Sequence, residues 1–503
     1  MDLTRHRGCG KTGPMADSPS TPPAAAAQSS PSAQTSPASR GRLRTPEVAA
    51  ISVGFMGPVM AMSLNGIGVA DLTGTSVPFT FLVSFLGTMF VAYAFIRLTG
   101  FVTHAGSVYA LSGTTMGPRA GFFGGFALLG TYLFFAACIA GACAVFFQAM
   151  AAELGLPFAD SLWVLIPLVV AVFVLWLNLR ESTVTARTLL AIGLVGVLAM
   201  VVLGVVIIVR VASGSAPVST GVDLSTLLPG DAPVSAIMTA SVFGFLSWAG
   251  FESGTSLSED AREPKRTIPR ALLGAVVLAG ILYTFVMFAQ TIGFGTDEAG
   301  VAAFAGASST LTALSSTYIG SWFAVLISVI AFLVAFASLL SSTAAASRLL
   351  FALARDGFGP KAFARTHPRT GVPGPAVLFV VVTTVVLACG TGVLGATSVD
   401  VYYWYATIAT LCMVVAYGMT SVGVIRFVLN SGRRIPYWEL VFPVLGLVYL
   451  VFVYVVQVIG QEAPYTWFPW MAGAWCLIGL VIVLARPALA ERIGARLTQE
   501  ELE

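Results

Sequence analysis

Residues 48–70 read VAAISVGFMGPVMAMSLNGIGVA, an uncharged apolar segment with a Gly57-Pro58 step near its centre. A helix needs about 20 predominantly apolar residues to cross a bilayer, so this segment is long enough to span one. Eleven further uncharged windows follow: 72–96, 120–152, 161–179, 188–209, 232–251, 271–296, the second part of 299–347, 370–399, 401–425, 440–461 and 463–485. Together these windows predict twelve membrane spans, which we number one to twelve.

The composition supports the same class of protein. Hydrophobic residues make up 57% of the chain and charged residues only 10%, and the mean hydropathy is +0.89. Because a soluble domain is about 25% charged, the sequence predicts an all-α polytopic membrane protein with the lipid bilayer as its surroundings. The net charge of +3 is too small to indicate a nucleic-acid partner.

The residue types that usually carry catalysis are sparse. The three histidines, His6, His104 and His367, lie outside the strongly apolar windows, and the six cysteines are scattered without metal or disulfide spacing. No nucleophile–base pair or metal-ligand group appears. We therefore expect no catalytic residue, no metal site, no cofactor and no enzyme activity.

Composition also suggests how the chain is divided. Residues 1–45 are rich in Ser, Pro, Ala and Thr, which predicts a disordered tail, residues 46–486 form the twelve-helix domain, and residues 487–503 form a short C-terminal tail. Residues 100–118 contain too much Gly, Ser and Thr to span easily, and we expect a loop or short helix there. Residues 302–317 suit an external loop with short helices.

Lysine and arginine residues predict the orientation. With twelve spans, one face receives every Lys and Arg of the chain except Arg210. Loops that carry Lys and Arg stay in the cytoplasm, so both termini are expected to be cytoplasmic in the cell (plasma) membrane.

Two spans show the composition of broken helices. In span one, Pro58 removes a backbone donor and Gly57 tolerates unusual dihedral angles; a simple proline kink is the alternative. In span six, residues 243–252 read FGFLSWAGFE, with small residues in the inner half; close helix packing is the alternative there. Secondary transporters bind substrate at such paired interruptions.

The loop between spans six and seven strengthens this interpretation. Residues 250–252 read GFE, residues 258–271 read SEDAREPKRTIPRA, residues 345–357 read AASRLLFALARDG, and residues 105–109 read AGSVY. Over residues 47 to 485 the chain resembles the amino acid–polyamine–organocation (APC) permeases. It departs from their pattern at Glu263, where Asn is usual, and at Met56-Gly57-Pro58, which replaces the commoner Gly-x-Gly.

The resemblance implies a 5+5 inverted-repeat (LeuT-like) fold, with spans eleven and twelve appended. It also implies a secondary active transporter that moves a small-molecule amino acid by alternating access, with the substrate held at the breaks in spans one and six. The substrate-binding residues would be Met56, Gly57, Pro58, Val59, Met60, Ala61, Phe245, Ser247, Trp248, Ala249 and Gly250. A polyamine or amine carrier of the same superfamily, and a substrate sensor that does not transport, are the alternatives.

Other residues are candidates for gating and ion coupling. Glu252 is expected to take up or release a proton as the inner gate opens, or else to cap the inner half-helix as a permanent carboxylate. Trp248 is an aromatic gate, a pocket wall or simple packing. Ser341 and Ser342 would hold Na⁺ beside the span-one break, although serine hydroxyls also bond to their own helix. The coupling ion, H⁺ or Na⁺, stays open at this point.

Overall fold

The structure is a computed structural model that describes residues 43–102, 107–156, 158–180, 183–218, 221–355, 357, 359–367, 371–430 and 435–492. Within these residues the chain is helical, apart from loops and one isolated β-bridge between Leu43 and Ala261. The α-helices in chain order are α1 (Thr45–Met56), α2 (Pro58–Thr73), α3 (Val77–Thr99), α4 (Ser107–Met116), α5 (Pro118–Glu153), α6 (Leu165–Leu179), α7 (Thr183–Ala212), α8 (Val234–Leu246), α9 (Pro264–Phe294), α10 (Glu298–Ala305), α11 (Thr310–Tyr318), α12 (Ser321–Arg355), α13 (Gly374–Val393), α14 (Ser398–Asn430), α15 (Val441–Val456) and α16 (Phe468–Ala485).

The predicted all-α membrane fold is confirmed. Among the described residues, eleven helical stretches are long and apolar enough to cross a membrane. One of them, Pro58–Thr99, has 42 residues and would extend about 63 Å if straight, twice the hydrocarbon thickness of a bilayer. It contains α2 and α3, which contact each other and both pack on α8. The count of twelve spans stays a prediction. It requires this stretch to contain the outer part of span one, which is α2, and all of span two, which is α3.

The central helices are distinguished from the peripheral ones by burial. In α5 and α14, 72% of the most apolar window is buried inside the protein, whereas the figure is 28% for α15 and its preceding turn and 22% for α16 with its preceding turn. Helix α5 packs on both α12 and α14. Helices α5 and α14 therefore lie at the centre of the bundle, α12 packs against α5, and α15 and α16 lie at the edge.

The short helices lie in the segments that the sequence excluded from the spans. Helix α4 lies in the segment 100–118 and packs against α5 and α14. Helices α10 and α11 lie in the loop before α12, and both pack on α2. We name the face that carries α10 and α11 the outer face, and the opposite one the inner face.

The two ends of the described chain are attached to the inner face. The carbonyl oxygen of Leu43 accepts a hydrogen bond of 3.0 Å from the backbone N–H of Arg262. At the other end Ala490 is fully buried, and Arg119 forms an exposed salt bridge of 3.2 Å with Glu491. The boundaries at residues 45 and 487 stay predictions, and residues 1–42 lie outside the described part of the chain.

Candidate functional site

Span one is interrupted at a single glycine. Helix α1 ends at Met56, Gly57 takes the left-handed conformation with φ +61° and ψ +59°, and α2 begins at Pro58. Proline suits the first position of a helix because it has no N–H to leave unpaired. The next N–H groups, those of Val59 and Met60, lie in the first turn and have no acceptor within their own helix. The interruption therefore presents free donors at the positive end of a helix dipole.

Span six is interrupted over a longer segment. Helix α8 ends at Leu246, the N–H groups of Ser247, Trp248 and Ala249 bond three residues back at 2.8, 3.1 and 3.0 Å, and Gly250 has φ +93°. A 3₁₀ helix, Phe251–Asp260, then continues inward. The sequence predicted an inner half-helix within an all-α fold, and in the structure this half is a 3₁₀ helix.

The inner half of span six contains hydroxyl side chains that bond within their own turn. Thr255 Oγ1 donates to the carbonyl of Glu252 at 2.7 Å, and Ser258 Oγ donates to the carbonyl of Thr255 at 2.6 Å. Both bonds join residues three apart, which is the spacing of 3₁₀ geometry. Serine bonds of the same spacing also occur within α8 and α12, so these bonds fit the tighter helix but are not specific to it.

A cavity lies between the two interruptions. Met56, Met60 and Ala61 line it from span one, and Leu246, Ala249 and Gly250 line it from span six. The volume of the cavity that is open to the centres of water molecules is about 40 Å³. This is enough room for about three waters. Further lining residues come from the central helices: Thr131, Tyr132, Phe135, Cys138 and Ile139 of α5, Ser338 and Ser342 of α12, and Tyr402 and Met413 of α14.

The cavity is lined by only part of the predicted set. Seven predicted residues line it: Met56, Met60, Ala61, Ala249, Gly250, Glu252 and Ser342. The others that were predicted lie outside the lining: Gly57, Pro58, Val59, Phe245, Ser247, Trp248 and Ser341. Gly57 and Pro58 nevertheless create the interruption, so their contribution is to the backbone rather than to the wall.

Trp248 packs between helices in this structure. Its side chain is fully buried, stacks on Phe85 with ring centroids 6.1 Å apart, and meets Tyr283 edge-on. Its indole N–H donates to the carbonyl of Val276 at 3.4 Å. Of the three interpretations offered by the sequence, the contacts favour packing against α3 and α9, because the turn after Leu246 directs the ring away from the cavity.

Glu252 is the one residue with a formally charged side chain among the cavity-lining residues. It is 1% exposed, and its carboxylate accepts hydrogen bonds from the hydroxyls of Tyr417 and, at 3.5 Å, Tyr132. It also lies in the first turn of the 3₁₀ helix, where free N–H groups favour an anion. A buried carboxylate is costly unless it is hydrogen-bonded, and here the tyrosines of α5 and α14 supply the partners.

Asn65 is a cavity residue that was not predicted from the sequence. It is 1% exposed, its Nδ2 donates to Ser247 Oγ at 2.8 Å, and its Oδ1 accepts from the hydroxyl of Tyr402 at 2.7 Å. The available signal was a lone amide in the apolar window 48–70, since polar side chains in a membrane helix usually have partners. Tyr417 was not predicted either, and it belongs to the site through its hydrogen bond to Glu252.

The two residues of the predicted cation site, Ser341 and Ser342, lie in different surroundings on α12. Ser338 Oγ donates to the carbonyl of Phe55 at 3.3 Å, and Ser342, four residues on, lines the cavity on the same helix face. Ser341 is exposed, and its hydroxyl donates to the carbonyl of Ala337 at 2.9 Å. Among the residues that the structure describes, no group of three or more His, Cys, Asp or Glu side chains is placed to hold a metal ion.

Comparison with known proteins identifies a family. Residues 47–489 match the family described as amino acid permease. The chain is 24% identical over 467 residues to the branched-chain amino acid permease BcaP of Lactococcus lactis, covering 88% of this chain and 94% of that protein. It is 26% identical over 336 residues to the low-affinity putrescine importer PlaP of Escherichia coli, covering 66% of this chain and 71% of the relative. It is also 28% identical over 369 residues to the mouse cationic amino acid transporter 4, covering 69% of this chain and 54% of the relative.

Proposed function

This chain belongs to the amino acid permease family of the APC superfamily, and on that premise we propose that it is a secondary active transporter that moves an amino acid by alternating access. The substrate binds in the cavity between the interruption at Gly57 and the interruption at Ser247–Gly250. Both interruptions contribute to one cavity, and this is the observation on which the proposal rests.

The chemistry of the two sides suits a zwitterion. The free N–H groups at the start of α2 provide donors for a carboxylate. On the other side, the carboxylate of Glu252 and the carbonyl groups near Ala249 provide acceptors for an ammonium group. Met56, Met60 and Ile139 supply an apolar wall for a side chain. An amino acid is therefore held without a basic side chain in the cavity.

An amine or polyamine is the second candidate substrate. The observation that favours it is the charge of the lining, in which Glu252 is the one formally charged residue. A relative named as a putrescine importer is consistent with such a substrate. An amine without a carboxylate would use Glu252 and leave the donors of α2 unused, so the two substrate classes depend on different halves of the cavity.

Ion coupling is proposed to run through Glu252. Its carboxylate lies at the boundary between the cavity and the inner half of span six. A change in its protonation therefore changes the charge of the cavity lining and the charge at the start of the 3₁₀ helix together. Na⁺ held by Ser338, Ser342 and the carbonyl of Phe55 is the second candidate, and it replaces the predicted pair Ser341 and Ser342. The Lys and Arg asymmetry of the sequence supports cytoplasmic termini in a plasma membrane.

Uptake into proteoliposomes tests the proposal. The purified protein is assayed with leucine, lysine, glutamate and putrescine, each with and without a proton or Na⁺ gradient. Accumulation of an amino acid above equilibrium in response to one gradient supports the proposal. Accumulation of putrescine alone favours the amine carrier, whereas saturable binding without accumulation indicates a sensor.

A further inference from the structure

Asn65 joins three spans at the outer side of the cavity. It lies on α2 two turns beyond the Gly57 interruption, bonds to Ser247 at the end of α8, and accepts a bond from Tyr402 near the start of α14. Both partners are themselves nearly fully buried. The two halves of its amide group are thus used by two different helices.

The position of this network matters for access to the cavity. Asn65 and Tyr402 both line it, on the side of the interruption that leads to the outer face. Ser247 is the residue at which α8 ends and the irregular turn of span six begins. The Asn65 amide therefore links Tyr402, on the outer side of the cavity, to the residue at which the span-six interruption begins.

A neighbouring contact provides a natural comparison. Tyr403, the next residue of α14, donates its hydroxyl to the carbonyl of Leu64 at 2.6 Å. This bond also joins α14 to α2, one residue away from the first. It does not pass through Asn65 or reach Ser247, and Tyr403 lies outside the lining of the cavity.

We propose that Asn65 is a positioning residue for the outer gate, whose hydrogen bonds to Tyr402 and Ser247 hold the cavity closed to the outer face. The inference rests on the proposed transport cycle, in which the cavity must open to each face in turn. When the outer side opens, the side chains of Tyr402 and Ser247 move away from Asn65 and both bonds break, while the bond from Tyr403 to the carbonyl of Leu64 is kept. Removing them shifts the population toward the open state.

Cys138 is a reporter already present in the protein. It lines the cavity and is 2% exposed, whereas Cys143, on the same helix, is fully buried and lies outside the lining. A small membrane-impermeant methanethiosulfonate added at the outer face of proteoliposomes labels Cys138 only when the outer side opens. Peptide mass spectrometry gives the ratio of Cys138 to Cys143 labelling, which separates gate opening from general loosening of the fold.

The expected result follows from the number of bonds removed. Since a hydrogen bond between membrane helices contributes modestly, Tyr402→Phe and Ser247→Ala should each raise the Cys138 labelling rate about threefold, and Asn65→Leu about eightfold. Tyr403→Phe, the matched control, should leave the rate unchanged. Cys143 labelling should stay low in all four variants.

Equal labelling rates for Tyr402→Phe and Tyr403→Phe overturn the proposal, and so does labelling of Cys143 that rises together with that of Cys138. Absence of Cys138 labelling in every variant contradicts it too. The labelling needs no substrate, so it is independent of the proposed function. If no compound is transported but Cys138 labelling is fastest in Asn65→Leu and unchanged in Tyr403→Phe, the gate proposal is supported and the transport proposal fails.

Discussion

The phenyl ring of Phe55 occupies the space that a side chain at Gly250 would need. A Cβ built at residue 250 would overlap the ring, and the φ of +93° is one that residues with side chains rarely adopt. The last turn of α1 therefore packs directly against the backbone of the span-six interruption. Phe55 also meets Tyr132 edge-on, with ring centroids 6.4 Å apart, so the contact forms the inner side of the cavity.

This contact predicts that Gly250 tolerates no side chain. Gly250→Ala should weaken substrate binding by at least about tenfold, because a left-handed non-glycine residue costs about 1–2 kcal/mol before the overlap with Phe55 is added. Equilibrium binding of radiolabelled substrate to detergent-purified protein measures this. Gly274→Ala is the control, since a Cβ there meets no atom within 4 Å. Unchanged affinity in Gly250→Ala would contradict the packing described.

Glu252→Gln tests proton coupling. The substitution keeps the shape of the side chain and removes its titration, so uptake should lose its response to a proton gradient while exchange of substrate across the membrane continues. Uptake and exchange are measured between pH 5 and pH 8. A variant with an unaltered pH profile and an unaltered gradient response would show that Glu252 is a permanent cap of the 3₁₀ helix.

The Na⁺ alternative makes a separate prediction for α12. If uptake responds to Na⁺, Ser338→Ala and Ser342→Ala should each raise the half-saturating Na⁺ concentration by about tenfold, the order of effect expected from a group that supports an ion site. Ser341→Ala should leave it unchanged because its hydroxyl bonds to its own helix. An effect confined to Ser341→Ala would restore the site as the sequence predicted it.

The N-terminal segment should be dispensable up to the first described residue. Deleting residues 2–40 removes only a Ser-, Pro- and Ala-rich stretch, and uptake should stay within about twofold of the full chain. Deleting residues 2–44 also removes the backbone bond from Arg262 to Leu43 and should lower the melting temperature. Equal stability of the two truncations would mean that the bond contributes nothing.

The sequence was informative wherever a local signal sufficed. Uninterrupted apolar windows located the helices, and the Gly57-Pro58 step marked the residue at which α1 ends. Glu252 stood out because an acid so close to a membrane span is unusual. Each of these features depends on neighbours in the chain, which the sequence displays directly.

The sequence did not predict the contacts between spans. Asn65 and Tyr417 have partners 182 and 165 residues away, and helices that are apolar on every side give no pattern that shows which face points inward. Trp248 is among the predicted substrate-binding residues because it lies at the span-six interruption, and the sequence does not show which way its ring points. Ser338 was not predicted, because hydroxyls on different faces of α12 look alike in sequence.

A cryo-electron microscopy map with saturating substrate tests the central claim most directly. The substrate is the compound that the uptake panel identifies. We expect its density between the first turn of α2 and Glu252, in contact with Met56 and Ala249. Density in the second, smaller cavity beside Tyr403 and Gln457, with the space between the two interruptions empty, would contradict the account.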